Sequence, residues 1–164
     1  MDQLTKKGKD APSLPWQRWD VPIFKQECLV GVKRRTRWLL PNKPNSAYWV
    51  LVVDDMKENA DIYADLLKEV GYQVWTVYDG KEGLRVAKSL QPDLILLNYL
   101  MPGLNGLEVL RQLRRDPETA HIKVIIDSAL PIKDDALQAG AQAYIWLLHI
   151  PAELCGVVFR VLRS

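Results

Sequence analysis

Cysteine, histidine and phenylalanine each occur only twice in the 164 residues. The two cysteines, Cys28 and Cys155, show no metal-ligand or redox-motif spacing, which removes a zinc cluster and a thiol–disulfide centre from consideration. They read as reduced thiols of a cytoplasmic protein, although spacing alone leaves a bridge between them open. His121 and His149 stand far apart without metal-like partners, and so read as surface or packing residues. No apolar run is long enough to span a bilayer, and the opening stretch MDQLTKKGKDAPSLPWQRWD is basic without an apolar h-region. Neither secretion nor membrane insertion is therefore expected. Internal repeats and low-complexity tracts are absent as well.

With 48% hydrophobic and 26% charged residues, the chain has the composition of one globular domain with some excess length. Its formal charge of +2 hides an asymmetry: residues 1–47 carry ten Lys/Arg against four Asp/Glu, and residues 48–164 carry twelve against sixteen. The first segment also holds Pro12, Pro15, Pro22, Pro41 and Pro44 and follows neither a helical nor a strand period. It reads as a partly disordered basic arm or linker over 1–47, ahead of a domain over 48–164. Within the arm, WQRW and KRRTRWLL interleave tryptophan with cations. Lys33, Arg34, Arg35, Arg37 and Trp38 suit a phosphate backbone, an anionic surface or packing against the domain itself.

From Trp49 onward, strand-like and helix-like segments alternate five times. WVLVV, YQVWTV, DLILL, KVIID and AYIWLL are strand-like runs. Between and after them come KENADIYADLLKEVG, GKEGLRVAKSL, GLEVLRQLRRD, KDDALQA and PAELCGVVFRVLR. In the first of these, Ile62, Leu66, Leu67 and Val70 fall at helical spacing before the C-capping Gly71, and Pro151 suits a first helical position in the last. The pattern predicts a (βα)5 α/β fold: a doubly wound five-stranded parallel sheet covered on both faces. Function in such sheets collects at the carboxyl ends of the strands.

Those ends present Asp54 and Asp55 after the first strand, Asn98 after the third, Ser128 after the fourth and Leu147 after the fifth. Adjacent carboxylates repel unless donors or a cation lie nearby, and a hard Mg²⁺ site is one solution. The plainer alternative has Asp55 capping the first helix and Asp54 solvated. For Ser128 the alternative is a strand-end hydroxyl that satisfies backbone groups. Asn105 suits the N-cap of GLEVLRQLRR. Trp146 suits either core volume or an aromatic anchor for a partner.

VLVVDD, GYQVWTVYDGKEGL, PDLILLNYLMPGLNGLEVLRQLR, HIKVII followed by Ser128, and AGAQAYIW together resemble the blocks of a response-regulator receiver domain, over residues 49–164. The resemblance implies the flavodoxin-like strand order 2-1-3-4-5 and phosphorelay signalling with a histidine kinase. It also implies a phosphoacceptor aspartate ending the third strand, with Mg²⁺ held by that residue, an acidic residue and a backbone carbonyl. By position, Asp54 and Asp55 fill the acidic pair, Leu100 supplies the carbonyl, and Ser128 and Tyr144 fill the hydroxyl and aromatic switch positions.

Two positions depart from the family pattern. The acceptor aspartate is Asn98, and the lysine expected after the fifth strand is Leu147, followed by Leu148 where the family has proline. An amide oxygen is a poor nucleophile and yields no stable acyl phosphate. Losing one carboxylate and one lysine together leaves the formal charge of the pocket unchanged. From Ser128 to Tyr144 there are sixteen residue steps, fewer than is usual in the family, with Pro131 inside the interval. A fourth helix of about two turns is expected.

The reading is a non-enzymatic, cytoplasmic pseudo-receiver, monomer or homodimer. It would act on a protein partner, a histidine kinase or another signalling protein, by phosphorylation-independent contact. It needs no cofactor and leaves weak Mg²⁺ binding open. One alternative makes the basic arm a nucleic-acid or anionic-surface binder. The other, a nucleotide- or flavin-binding enzyme of the same fold class, lacks a glycine-rich phosphate loop after the first strand, where Asp54 and Asp55 would repel phosphate.

Overall fold

The computed structural model describes residues 47–146 and 151–164, with backbone alone at 151 and 152. Its elements are β1 (Trp49–Val53), α1 (Lys57–Glu69), β2 (Gln73–Val77), α2 (Gly80–Leu90), β3 (Leu94–Asn98), α3 (Gly106–Arg115), β4 (Lys123–Ser128), α4 (Lys133–Gln138), β5 (Ala143–Trp146) and α5 (Pro151–Arg163). All strand pairs are parallel, in the order β2-β1-β3-β4-β5. The order reverses between β1 and β3, so their carboxyl ends open a crevice between crossovers that lie on opposite faces. Expectations at Lys33, Arg34, Arg35, Arg37, Trp38, Cys28, Leu147 and His149 fall outside the described residues. Among the described residues no helix is long and apolar enough to cross a membrane.

The inner strands β1, β3 and β4 are apolar on both faces because both faces are covered. Leu51, Val53, Ile95, Leu97, Val124 and Ile126 pack with Val86, Ala87, Val109, Leu110 and Leu113 of α2 and α3. Their sequence neighbours Val50, Val52, Leu94, Leu96 and Ile125 point the other way, onto Ala60 and Leu67 of α1 and Leu154, Val158 and Val161 of α5. Each such valine, leucine or isoleucine side chain contributes roughly 1.5–3 kcal/mol on burial. One sequence expectation is corrected at α1. Ile62 is 53% exposed and Val70 is also exposed, whereas Ala60, Ala64 and Leu67 are buried and Tyr63 is half-buried. The small alanines let α1 approach the sheet closely, and the apolar spacing of Ile62 does not report the face that the alanines choose.

Local chemistry sets the turns. Gly71 follows α1 at φ 98°, a left-handed position that glycine adopts without a Cβ penalty. Asp79 caps α2 by accepting from Lys81 N and Glu82 N. Asn105 caps α3 as expected, in a reciprocal box: Glu108 N donates to Asn105 Oδ1 at 3.0 Å and Asn105 N to Glu108 Oε2 at 2.9 Å. Beside it, a Cβ on Gly106 would lie 2.5 Å from the Asn98 carbonyl oxygen, so glycine lets α3 start directly against the end of β3. We expect Asn105→Ala to lower stability by about 1 kcal/mol, read as a shift of the urea midpoint at unchanged slope. A change in slope would mean that the β3–α3 loop itself has loosened. Helix α4 has six residues, under two turns, as the short interval before Tyr144 implied.

Candidate functional site

β1 and β3 end side by side, and the polar residues after their apolar runs meet. Asp54 is 1% exposed, Asp55 half-buried and Asn98, the last residue of β3, half-buried. The Asn98 amide nitrogen Nδ2 donates toward three oxygens: Leu100 O at 3.0 Å, Asp55 Oδ1 at 3.1 Å and Asp54 Oδ1 at 3.3 Å. Its Oδ1 accepts from Leu100 N at 3.2 Å. This network fixes which way the amide faces. Reversed, it would set an oxygen against two carboxylates and an NH₂ group against an N–H donor.

The plainer reading of the acidic pair is corrected. Asp54, not Asp55, bonds the start of α1, accepting from Met56 N at 2.8 Å, and it is buried rather than solvated. The N-cap position falls on Met56, which makes no side-chain cap. Burial raises the Asp54 carboxyl above its ordinary range; the Met56 N–H opposes this and the neighbouring Asp55 charge adds to it.

On the β4 side, Ser128 is buried and its Oγ accepts from Leu130 N at 3.0 Å, which is the backbone-satisfying role weighed for it. The Tyr144 hydroxyl donates to Leu130 O at 2.5 Å and lies 3.3 Å from Ser128 O. The two switch positions are thus joined through one loop residue, Leu130. Burial raises the Tyr144 phenol, with Asp127 adding to the effect. Trp146 is half-buried and pairs in register with Ser128.

Sequence reasoning missed a second polar pair beneath this site. Asp127 is 2% exposed, and on its Oδ2 it accepts a 2.7 Å hydrogen bond from the Tyr63 hydroxyl of α1. Its backbone carbonyl accepts from Tyr99 N, tying β4 to the loop after Asn98. Burial lifts the Asp127 carboxyl to about 6; the Tyr63 bond opposes the shift and the Asp54 charge adds to it. Burial, followed by Asp127 itself, pushes the Tyr63 phenol well above its usual range. Asp54 Oδ2 and Asp127 Oδ1 are buried without a hydrogen-bond partner among the described residues. The available signal was an aspartate at a core-facing position of KVIIDS, opposite a tyrosine in a helix otherwise buried through alanine and leucine.

The arrangement holds two carboxylates on neutral N–H donors, with the Asn98 amide between them at the end of β3. Among the described residues no group of three or more His, Cys, Asp or Glu side chains is placed to hold a metal ion.

The response regulator receiver domain model matches residues 50–147. The response regulator PleD of Caulobacter vibrioides is 40% identical over 89 residues, covering 54% of this chain and 20% of PleD, so the chain spans a small part of that relative. The polar-differentiation response regulator DivK of Brucella anthropi is 37% identical over 99 residues, covering 58% of this chain and 80% of DivK. Among solved structures, the Francisella response regulator 1452 receiver domain superposes with a TM-score of 0.67 at 30% identity, over 71% of this chain and 97% of that one. The receiver domain of the Pseudomonas aeruginosa sensor histidine kinase PA1611, with a magnesium ion coordinated in its active-site cleft, superposes at 0.66 and 28% identity, over 71% of this chain and 98% of that one. With the matched span running from β1 to the end of β5, and the strand order and the acidic crevice both in place, the chain belongs to the response regulator receiver domain family.

Proposed function

We propose that this chain is an atypical receiver of two-component signalling that acts through protein–protein contact without accepting a phosphoryl group. The observation that carries this reading is the Asn98 amide, held by four hydrogen-bonding contacts at the position of the family's acceptor aspartate. A carboxylate can attack phosphorus, displace the donor group and hold the phosphoryl as an acyl phosphate; an amide whose oxygen is engaged by Leu100 N and whose nitrogen faces two carboxylates does not. The pair Asp54 and Asp55 would repel an incoming phosphoryl group as well.

The geometry supports a module that keeps the receiver shape and presents it in one state. Ser128, Leu130 and Tyr144 form a closed set of contacts on the β4–α4 side, a surface that a partner reads directly. The partner class is a signalling protein of the same system, a histidine kinase or a protein downstream of one, met in the cytoplasm. PleD and DivK, both response regulators by name, make that class the natural one. The residues present do not fit a divalent cation as arranged, because the amide nitrogen faces the oxygens that would ligate it.

Acetyl phosphate with Mg²⁺, followed by intact mass measurement, is expected to leave the wild type unmodified, whereas Asn98→Asp is expected to gain a slowly formed adduct. An adduct on the wild type that survives Asn98→Ala and disappears on changing Asp54 or Asp55 would mean a relocated acceptor, and would end the proposal.

A further inference from the structure

We infer that the Asn98 amide is an internal replacement for the divalent cation of this pocket: Nδ2 faces the oxygens that would ligate the ion, and the chain excludes Mg²⁺ while keeping its acidic pair. The inference rests on the function proposed above and concerns the same site. Its basis is a convergence. Leu100 O, Asp55 Oδ1 and Asp54 Oδ1, from three different backbone positions, all lie 3.0–3.3 Å from one nitrogen. They include the backbone carbonyl and the acidic-pair carboxylate that the family resemblance assigns to the metal. Magnesium demands oxygens at about 2.0–2.1 Å in near-octahedral array, so hydrogen-bond spacing around a neutral NH₂ is a different and competing arrangement.

Admitting an ion requires the Asn98 amide to rotate its nitrogen away from these oxygens. That rotation gives up the donations to all three acceptors, and it takes from Leu100 N the acceptor it has at 3.2 Å. Two amide hydrogens shared among three acceptors are weaker than a divalent charge, but they cost no dehydration of an ion that gives up its water reluctantly. The exchange also explains why two adjacent carboxylates persist beside a lost nucleophile: Asp55 Oδ1 and one oxygen of Asp54 still have a donor to meet. Nothing else among the described residues competes for the ion, since no cluster of three acidic, histidine or cysteine side chains is placed to hold one.

The test is titration of Mn²⁺ into the full chain, followed by the electron paramagnetic resonance signal of the free aqueous ion. Binding at the pocket is counted as the part lost on Asp55→Asn. Wild type is compared with Asn98→Asp, which restores a ligand, and with Asn98→Ala, which removes the amide and adds no charge. A cooperative melt certifies each variant as folded, so either can serve if the other fails. The inference expects at least one variant to bind Mn²⁺ about tenfold or more tightly than wild type, and Mg²⁺ to raise the melting temperature of that variant and not of wild type. If no folded variant reaches that margin, either because wild type binds as well or because none binds, the amide is not what excludes the ion and the inference is overturned. A wild type that binds Mn²⁺ as tightly as every folded variant yet takes up no phosphate removes this inference alone. Phosphate uptake at another carboxylate removes the proposed function whatever the metal does.

Discussion

Asp127→Asn is expected to stabilise the protein at pH 8 by about 2–3 kcal/mol and to flatten its stability profile between about pH 4 and pH 6. Burial raises the Asp127 carboxyl from 3.8 to about 6, so over this interval the folded state holds a proton that the unfolded chain releases. The resulting stabilisation is complete below the unfolded value and is lost as pH rises through about 6. Above that, the native state carries an ionised carboxylate with one oxygen bonded to Tyr63 and the other buried without a partner among the described residues. Asparagine keeps the acceptor for Tyr63, removes the charge and supplies an N–H donor. Asp54 is also raised by burial and leaves a smaller slope of the same sign in the variant. Urea unfolding at about pH 4, 6 and 8 reads the difference. If the variant is no more stable than wild type at pH 8, the ionised Asp127 has a counter-group and the buried-acid account fails. Tyr63→Phe tests the other side of the pair: it strips the hydroxyl donor from Asp127 Oδ2, and its stability loss should be larger at pH 8 than at pH 4.

Arg114→Met is expected to destabilise the domain by about 2–3 kcal/mol, lowering the melting temperature by on the order of 10 °C. The Arg114 guanidinium leaves the end of α3 and bonds Gly140 O through Nε and Nη2, Ala120 O and Ile122 O through Nη1, and Gln142 Oε1 through Nη2. One side chain thereby ties together the segment before β4 and the turn before β5, where Gly140 sits at φ 99° and a Cβ would come within 3.0 Å of that arginine. Burial depresses its basicity, an effect that its carbonyl partners tolerate because they accept a fixed fork of donors. Methionine retains the packing stem and leaves those oxygens short of donors. Lysine, with one point of charge, should recover less than half of the loss. Thermal melts of the three proteins decide this, and a methionine variant within a degree of wild type would show that water replaces the guanidinium without penalty.

Fold and site were legible to different depths. The alternation of apolar runs with helical segments is a local property, and all five strands and five helices fall where that alternation puts them, α2 and α5 to the residue. The Asn105 box was legible for the same reason, since a cap is decided within four residues. At the crevice, the positions Asp54, Asp55 and Asn98 were readable because a strand end in a parallel sheet delivers its next residues to one rim.

Residue type and spacing by themselves determined the parallel α/β class, the place of the acidic pair and the presence of an amide at the end of the third strand. Which oxygen the amide faces, and that Asp54 rather than Asp55 bonds the start of α1, depended on how β1 and β3 come together across 44 residues of chain. Tyr63 meeting Asp127 across 64 residues, and Arg114 rather than Arg115 gathering the carbonyls, belong to the tertiary structure as well. In sequence the two arginines are adjacent and equivalent, and Ile62 looks a better core residue than Tyr63. Helix rotation resolves both cases: the buried face of a helix is set by the closest packing against the sheet, here through Ala60 and Ala64, and a side chain's partner is whatever that rotation brings within about 3 Å.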